Sequence, residues 1–180
     1  MAKMGMCRTF QNGKLASDLT VLENIMTGAY WCTNIDFLGT FFHLPFWPSK
    51  QEKYIKETAL KILKFIGMEE YKDREAKDLS WFERQFVQIG RSMFGKPKLL
   101  LLDEPTAGMG KDESFEVHKL IKYINEEMGT AIILVAHDMD LIINISDKIT
   151  CINFGKKICE GLPNYVQNNK EVMEAYLGSD

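Results

Sequence analysis

Apolar positions recur along this chain with two different periods, and the periods separate its helices from its strands. In KQEKYIKETALKILKFIG, residues Ile55, Ala59, Ile62, Leu63 and Ile66 fall at i, i+4, i+7, i+8 and i+11, one stripe of a helix that Gly67 is placed to end. TVLENIMTGAY carries Val21, Leu22, Ile25 and Met26 at helical spacing, with Asp18 or Thr20 able to cap it. In DLSWFERQFVQIGRSMFGKPK, Ser80 followed three residues later by Glu83 has the form of a capping box, and Phe82, Phe86, Ile89 and Met93 repeat behind it. A further helix is predicted from about Asp112 to Met128, with Val117, Leu120, Ile121, Ile124 and Met128 on one face and Gly129 closing it.

Two runs have no helical period. LLLLDEPTAGMG drives four leucines into Asp103 and Glu104, and TAIILVA leads into His137 and Asp138. Continuous apolar runs of this length fit strands covered on both faces of a parallel sheet, and strand, helix, strand in sequence fits a crossover between parallel neighbours. The fold class is therefore α/β. Ligands in open α/β sheets bind at the carboxyl ends of the strands, where Asp103, Glu104 and His137 would gather. Two adjacent acids there suit a metal ligand and a water-activating base, or a strand that simply meets solvent and ends in charges. Beyond them, DKITCINFGKKICEG reads as two short strands joined by an Asn-Phe-Gly-Lys turn, and NNKEVMEAYLG as a terminal helix.

Composition narrows the function. The 180 residues are 46% hydrophobic and 26% charged, enough apolar material for the core of one ordinary domain. A formal net charge of -3 argues against a nucleic-acid partner, which needs a basic surface to neutralise phosphates. Cys7, Cys32, Cys151 and Cys159 are scattered without metal-ligand spacing, so free thiols are expected. No run approaches the roughly 20 apolar residues of a membrane span, and the start MAKMGMCRTFQN lacks a signal-peptide core. FLGTFFHLPFWP (37–48) carries five aromatic residues, is broken by Pro45 and Pro48, and is expected to be buried in the core or covered by a partner.

Taken together, these segments resemble the ATP-binding subunits of ABC transporters over nearly the whole chain. RTFQN resembles the family's Q-loop, LLLLDEP its Walker B strand, LSWFE its signature motif and VAHD its switch-histidine segment. The nearer resemblance is to the ATPase subunits of branched-chain amino-acid importers, carried by GMCRTFQN, TVLEN, PTAGM, HDMDL and FGKKICEG before the terminal helix. The resemblance implies a partial P-loop NTPase core, with a helical subdomain at about 18–95, a sheet core at about 96–161 and a C-terminal helix at 162–180. It implies ATP and Mg²⁺ as cofactors. Asp103 and Gln11 would be metal ligands, Glu104 the general base, His137 a γ-phosphate contact and Ser80 a contact to the nucleotide of an opposing subunit. Partners would be transmembrane permease subunits and a second ATPase subunit, in a homo- or heterodimer on the cytoplasmic face of the membrane.

Three departures from the family pattern stand out. The phosphate-cradling G-x-x-x-x-G-K-[ST] loop is missing, and GRSMFGKP (90–97) puts Pro97 where the hydroxyl belongs, in a segment that follows a helix and enters a strand. Phe82 replaces a glycine of the signature motif, and Gly110 stands where the loop after Walker B usually has Asp or Asn. The sequence thus resembles a nucleotide-binding domain without its N-terminal portion. Two other functions compete with an importer ATPase: a non-hydrolysing subunit that docks only, and an ATPase serving lipopolysaccharide export.

Overall fold

A computed structural model of the protein describes residues 5–9, 15–31 and 50–177. Gln11, Cys32 and the aromatic stretch 37–48 lie outside the described residues. Contacts divide the chain into two units, Met1–Val135 and Ala136–Asp180.

The first unit contains β1 (Met6–Arg8), α1 (Val21–Met26), α2 (Lys50–Phe65), α3 (Trp81–Ser92), β2 (Leu99–Asp103), α4 (Lys111–Met128) and β3 (Ala131–Val135). Its strands form a sheet in the order β1-β2-β3, all parallel, with Arg8 opposite Leu101 and Asp103 opposite Val135. Thr20, rather than Asp18, caps α1 through a reciprocal box with Glu23. Within α1, the wholly buried Asn24 donates to the carbonyls of Ala16 and Leu19 and accepts from the Ala16 amide at 2.9 Å. The asparagine of the TVLEN segment therefore fastens the loop before its own helix, and every polar atom it buries is compensated.

The helical core joins Val21 and Ile25 of α1 to Ala59 and Leu63 of α2 and to Val87 and Ile89 of α3, all but sealed from solvent. Gly67 and Gly129 end α2 and α4 in the left-handed conformation, at φ 72° and 62°. On α3 the expected stripe holds at Ile89 and Met93, both buried, but the buried face also takes in Gln85, Val87, Gln88 and Gly90, while Phe82 and Phe86 are half-buried and pack on each other with ring centroids 4.7 Å apart. Met128, expected on the inner face of α4, is 36% exposed, because the buried stripe of that helix stops at Ile124.

The sheet also corrects the expectation of two covered faces. Leu100 and Leu102 are buried, but Leu99 and Leu101 are only half-buried, and Ile133 and Val135 are 54% and 57% exposed. Strand side chains alternate between faces, so this pattern means that one face is covered and the other is open. The start of β3 is fixed to the start of β2 by the Ala131 amide to the Lys98 carbonyl (2.9 Å) and the buried Thr130 hydroxyl to the Pro97 carbonyl (3.0 Å).

The second unit contains α5 (Met139–Ile145), the antiparallel pair β4 (Ile149–Asn153) and β5 (Lys156–Gly161), α6 (Pro163–Gln167) and α7 (Lys170–Leu177). The hairpin turns at Phe154 and Gly155, both with positive φ (45° and 75°), as the tightest hairpin turns require. Ile149, Cys151, Cys159, Val166 and Val172 form its core, with Met139, Ile142, Ile143 and Ile158 packed against them. Cys151 and Cys159 are free thiols, and burial pushes the Cys151 thiol up, with Cys159 adding to the effect. Among the described residues, no helix is long and apolar enough to cross a membrane.

Candidate functional site

The acids lie where β2 ends. Asp103 is its last residue, and Glu104 then turns at φ 45°, a left-handed conformation uncommon for a side chain of this size. Two hydrogen bonds hold that turn: the Glu104 amide donates to the Val135 carbonyl at 2.8 Å, and the Glu104 carbonyl accepts from the Ala107 amide at 3.2 Å. On an extended backbone two adjacent carboxylates would point to opposite sides. Because Glu104 is not extended, that alternation does not apply to it.

The loop that follows runs into α4. The Gly110 amide donates to the Glu113 carboxylate at 3.2 Å, and the Ser114 amide returns to the Gly110 carbonyl at 2.9 Å, so this end is capped without a side chain at position 110. The Trp81 indole N–H donates to the Ala107 carbonyl at 3.0 Å. One side chain of the signature-like segment thereby ties the start of α3 to the loop after the acids. Ser80 caps α3 as expected: its hydroxyl accepts from the Glu83 amide at 3.2 Å, and its amide donates to the Glu83 carboxylate at 2.7 Å. Arg74 approaches the same carboxylate at 3.7 Å, and Arg84 braces the preceding backbone through the Leu79 and Lys77 carbonyls.

Asp103 has a cationic neighbour that the sequence reading did not single out. The Arg8 guanidinium donates to the Asp103 carboxylate at 3.1 Å. Only the parity of β1 could have revealed this contact, and three residues are too few to show a period. His137 is exposed, two residues beyond the end of β3 and within the second unit. Asp138 beside it caps α5 by accepting from the Leu141 amide at 3.2 Å. Structure thus unites Asp103, Glu104, the Ser80 cap and Arg8 in the first unit, leaves His137 in the second, and does not describe Gln11.

Among the described residues no group of three or more His, Cys, Asp and Glu side chains converges to hold a metal unaided. Mg²⁺ rarely needs such a cage, since it is commonly bound by one or two carboxylates together with phosphate oxygens and water. Asp103 suits that role. A nucleotide triphosphate is a different matter: GRSMFGKP spans the end of α3 and the turn into β2, where no strand feeds a helix N-terminus. Among the described residues, none forms a phosphate cradle by itself.

Parallel strands flanked by helices make this an α/β fold, and its solved neighbours place it among P-loop-type nucleotide hydrolases. The chain belongs to the ABC transporter family: residues 2–107 match the family model for ABC transporters, and residues 156–180 match the model for the branched-chain amino acid ATP-binding cassette transporter. Relatives include the high-affinity branched-chain amino acid transport ATP-binding proteins BraF of Pseudomonas aeruginosa and LivG of Escherichia coli. Each is 33% identical over 178 residues, covering 99% of this chain and 69% of the relative. The ATP-binding cassette MJ1267 in its ADP conformation superposes with a TM-score of 0.79 at 28% identity, covering 99% of this chain and 70% of that one. A dimeric post-hydrolysis state of the cassette MJ0796, bound to ADP and Pi, gives 0.65 at 25% identity, with 88% and 62% covered.

Proposed function

We propose that this chain is the ATP-binding subunit, or a portion of it, that energises ABC-type import of branched-chain amino acids. One observation carries the reading beyond the family as a whole: residues 156–180 match a model specific to branched-chain amino acid cassettes. In this reading Asp103 and Gln11 are the metal ligands, Glu104 orients water, His137 contacts the terminal phosphate, and Ser80 contacts the nucleotide of an opposing subunit. Phosphoryl transfer asks little covalent help of a protein, so positioned charges of this kind are the chemistry it needs. The chain docks from the cytoplasmic side on transmembrane permease subunits through the helical region between Gln11 and Ser80, and it pairs with a second ATPase subunit. Deleting the chain from its host is expected to abolish uptake of labelled leucine, with no rescue by Glu104→Gln. Unchanged uptake overturns the reading.

A second reading, a docking subunit that does not hydrolyse ATP, draws support from Phe82, which packs on Phe86 in the signature segment. Calorimetry on the isolated chain is expected to show no appreciable MgATP binding. Tight binding that Asp103→Asn abolishes would overturn that expectation and count against the second reading.

A further inference from the structure

We propose that Arg8 is a built-in counter-ion at Asp103, so that a divalent metal binds this carboxylate in competition with the guanidinium. The inference rests on the reading of Asp103 as the metal ligand. Its geometry follows from register: β1 and β2 run parallel with Arg8 opposite Leu101, which puts Arg8 two positions from Asp103 on the same face of the sheet. At that diagonal separation a long side chain reaches its neighbour, and the Arg8 Nη2 lies 3.1 Å from the Asp103 Oδ2.

Arg8 is held on one of the two Asp103 oxygens, and a guanidinium and a divalent cation on the same carboxylate repel each other, so each weakens the other's hold on Asp103. The two side chains are 52% and 32% exposed, so Arg8 can swing into water with little desolvation cost, and the pair is of the weak, exchangeable kind. Arg8 therefore acts as a positioning residue that keeps Asp103 neutralised and in place until a metal takes over. A bare ion must compete with it, while a metal arriving with phosphate oxygens offers the released guanidinium a new anionic partner.

The test titrates MnCl₂ into the full-length ¹⁵N-labelled chain and follows paramagnetic broadening of the Asp103 and Glu104 amides. Arg8→Gln should broaden these signals at about three- to tenfold lower Mn²⁺ than the wild type, the range expected from losing a weak ion pair and its repulsion. Arg8→Lys should behave like the wild type, and Asp103→Asn in the Arg8→Gln background should remove the effect. Equal broadening in wild type and Arg8→Gln, still dependent on Asp103, overturns the counter-ion proposal while leaving Asp103 a metal ligand. Broadening that never depends on Asp103 overturns both. Should Arg8→Gln fail to fold, the wild type supplies the answer: the Arg8 side-chain N–H signal must shift as Mg²⁺ is added, and an unmoved signal beside a metal-bound Asp103 overturns the proposal.

Discussion

Asp103 and Glu104 are adjacent in the chain but differ in backbone conformation, because β2 ends on the first and the second turns left-handed at φ 45°. That conformation costs an ordinary side chain roughly 1–2 kcal/mol, a cost that glycine avoids while losing about half of the gain to its own unfolded-state freedom. Glu104→Gly should therefore be neutral to about 1 kcal/mol more stable in urea unfolding. Glu104→Val should be about 1–2 kcal/mol less stable, as expected of a β-branched residue in that conformation. Gly28 poses the opposite problem. A Cβ there would lie 2.4 Å from the Arg91 carbonyl oxygen and 2.8 Å from the Phe94 Cβ, neither of which is the free end of a side chain. Gly28→Ala should cost about 1–3 kcal/mol by the same assay. Glu160 provides a pH signature. Hydrogen bonds from Lys148 and then Lys157, with their charges, hold its carboxyl at about 2 instead of the ordinary 4.5. A depressed carboxyl stabilises the fold above its unfolded value and loses that contribution as pH falls through the folded one, so the window is pH 4.5 down to about 2. The Glu160 carboxyl ¹³C shift should titrate near the lower value and move towards the ordinary range in Lys148→Ala.

Among the elements, those specified by a few neighbouring residues were the most legible. The Ser80–Glu83 box, the α2 stripe and the Gly129 stop all act within a turn or two, so their sequence pattern nearly contains their structure. What depends on distant packing was not legible: which way α3 rolls to bury Gln85 and Gln88, whether β3 has a layer on both faces, and the three-residue strand β1. The site divides in the same way. Asp103 and the cap at Ser80 follow from local pattern, whereas Arg8 reaches Asp103 across 95 residues of chain and Trp81 reaches Ala107 only once the helix and loop are folded. The elements should respond to mutation accordingly. Ser80→Ala should cost about 1 kcal/mol through the lost cap. Leu102→Ala, at a position 1% exposed, should cost about 2–5 kcal/mol. Leu99→Ala, on the open side of the same strand, should cost clearly less, and denaturant titration of the three variants would expose any reversal of that order.

At the scale of the molecule, the open face of the sheet is the dominant feature of the first unit. Ile133 and Val135 expose apolar surface on β3, which is the last strand of the three-stranded sheet among the described residues. Unpaired apolar strands of this kind favour association. The isolated chain should therefore self-associate with rising concentration in analytical ultracentrifugation. Ile133→Lys with Val135→Thr should shift it towards monomer without lowering its melting temperature. Inside a cell the same surface has a further consequence. Chaperones and proteases sort newly made chains by the apolar surface they leave uncovered. The amount of this protein that survives would then be set by how quickly that face is covered, and its level would follow the supply of whatever covers it.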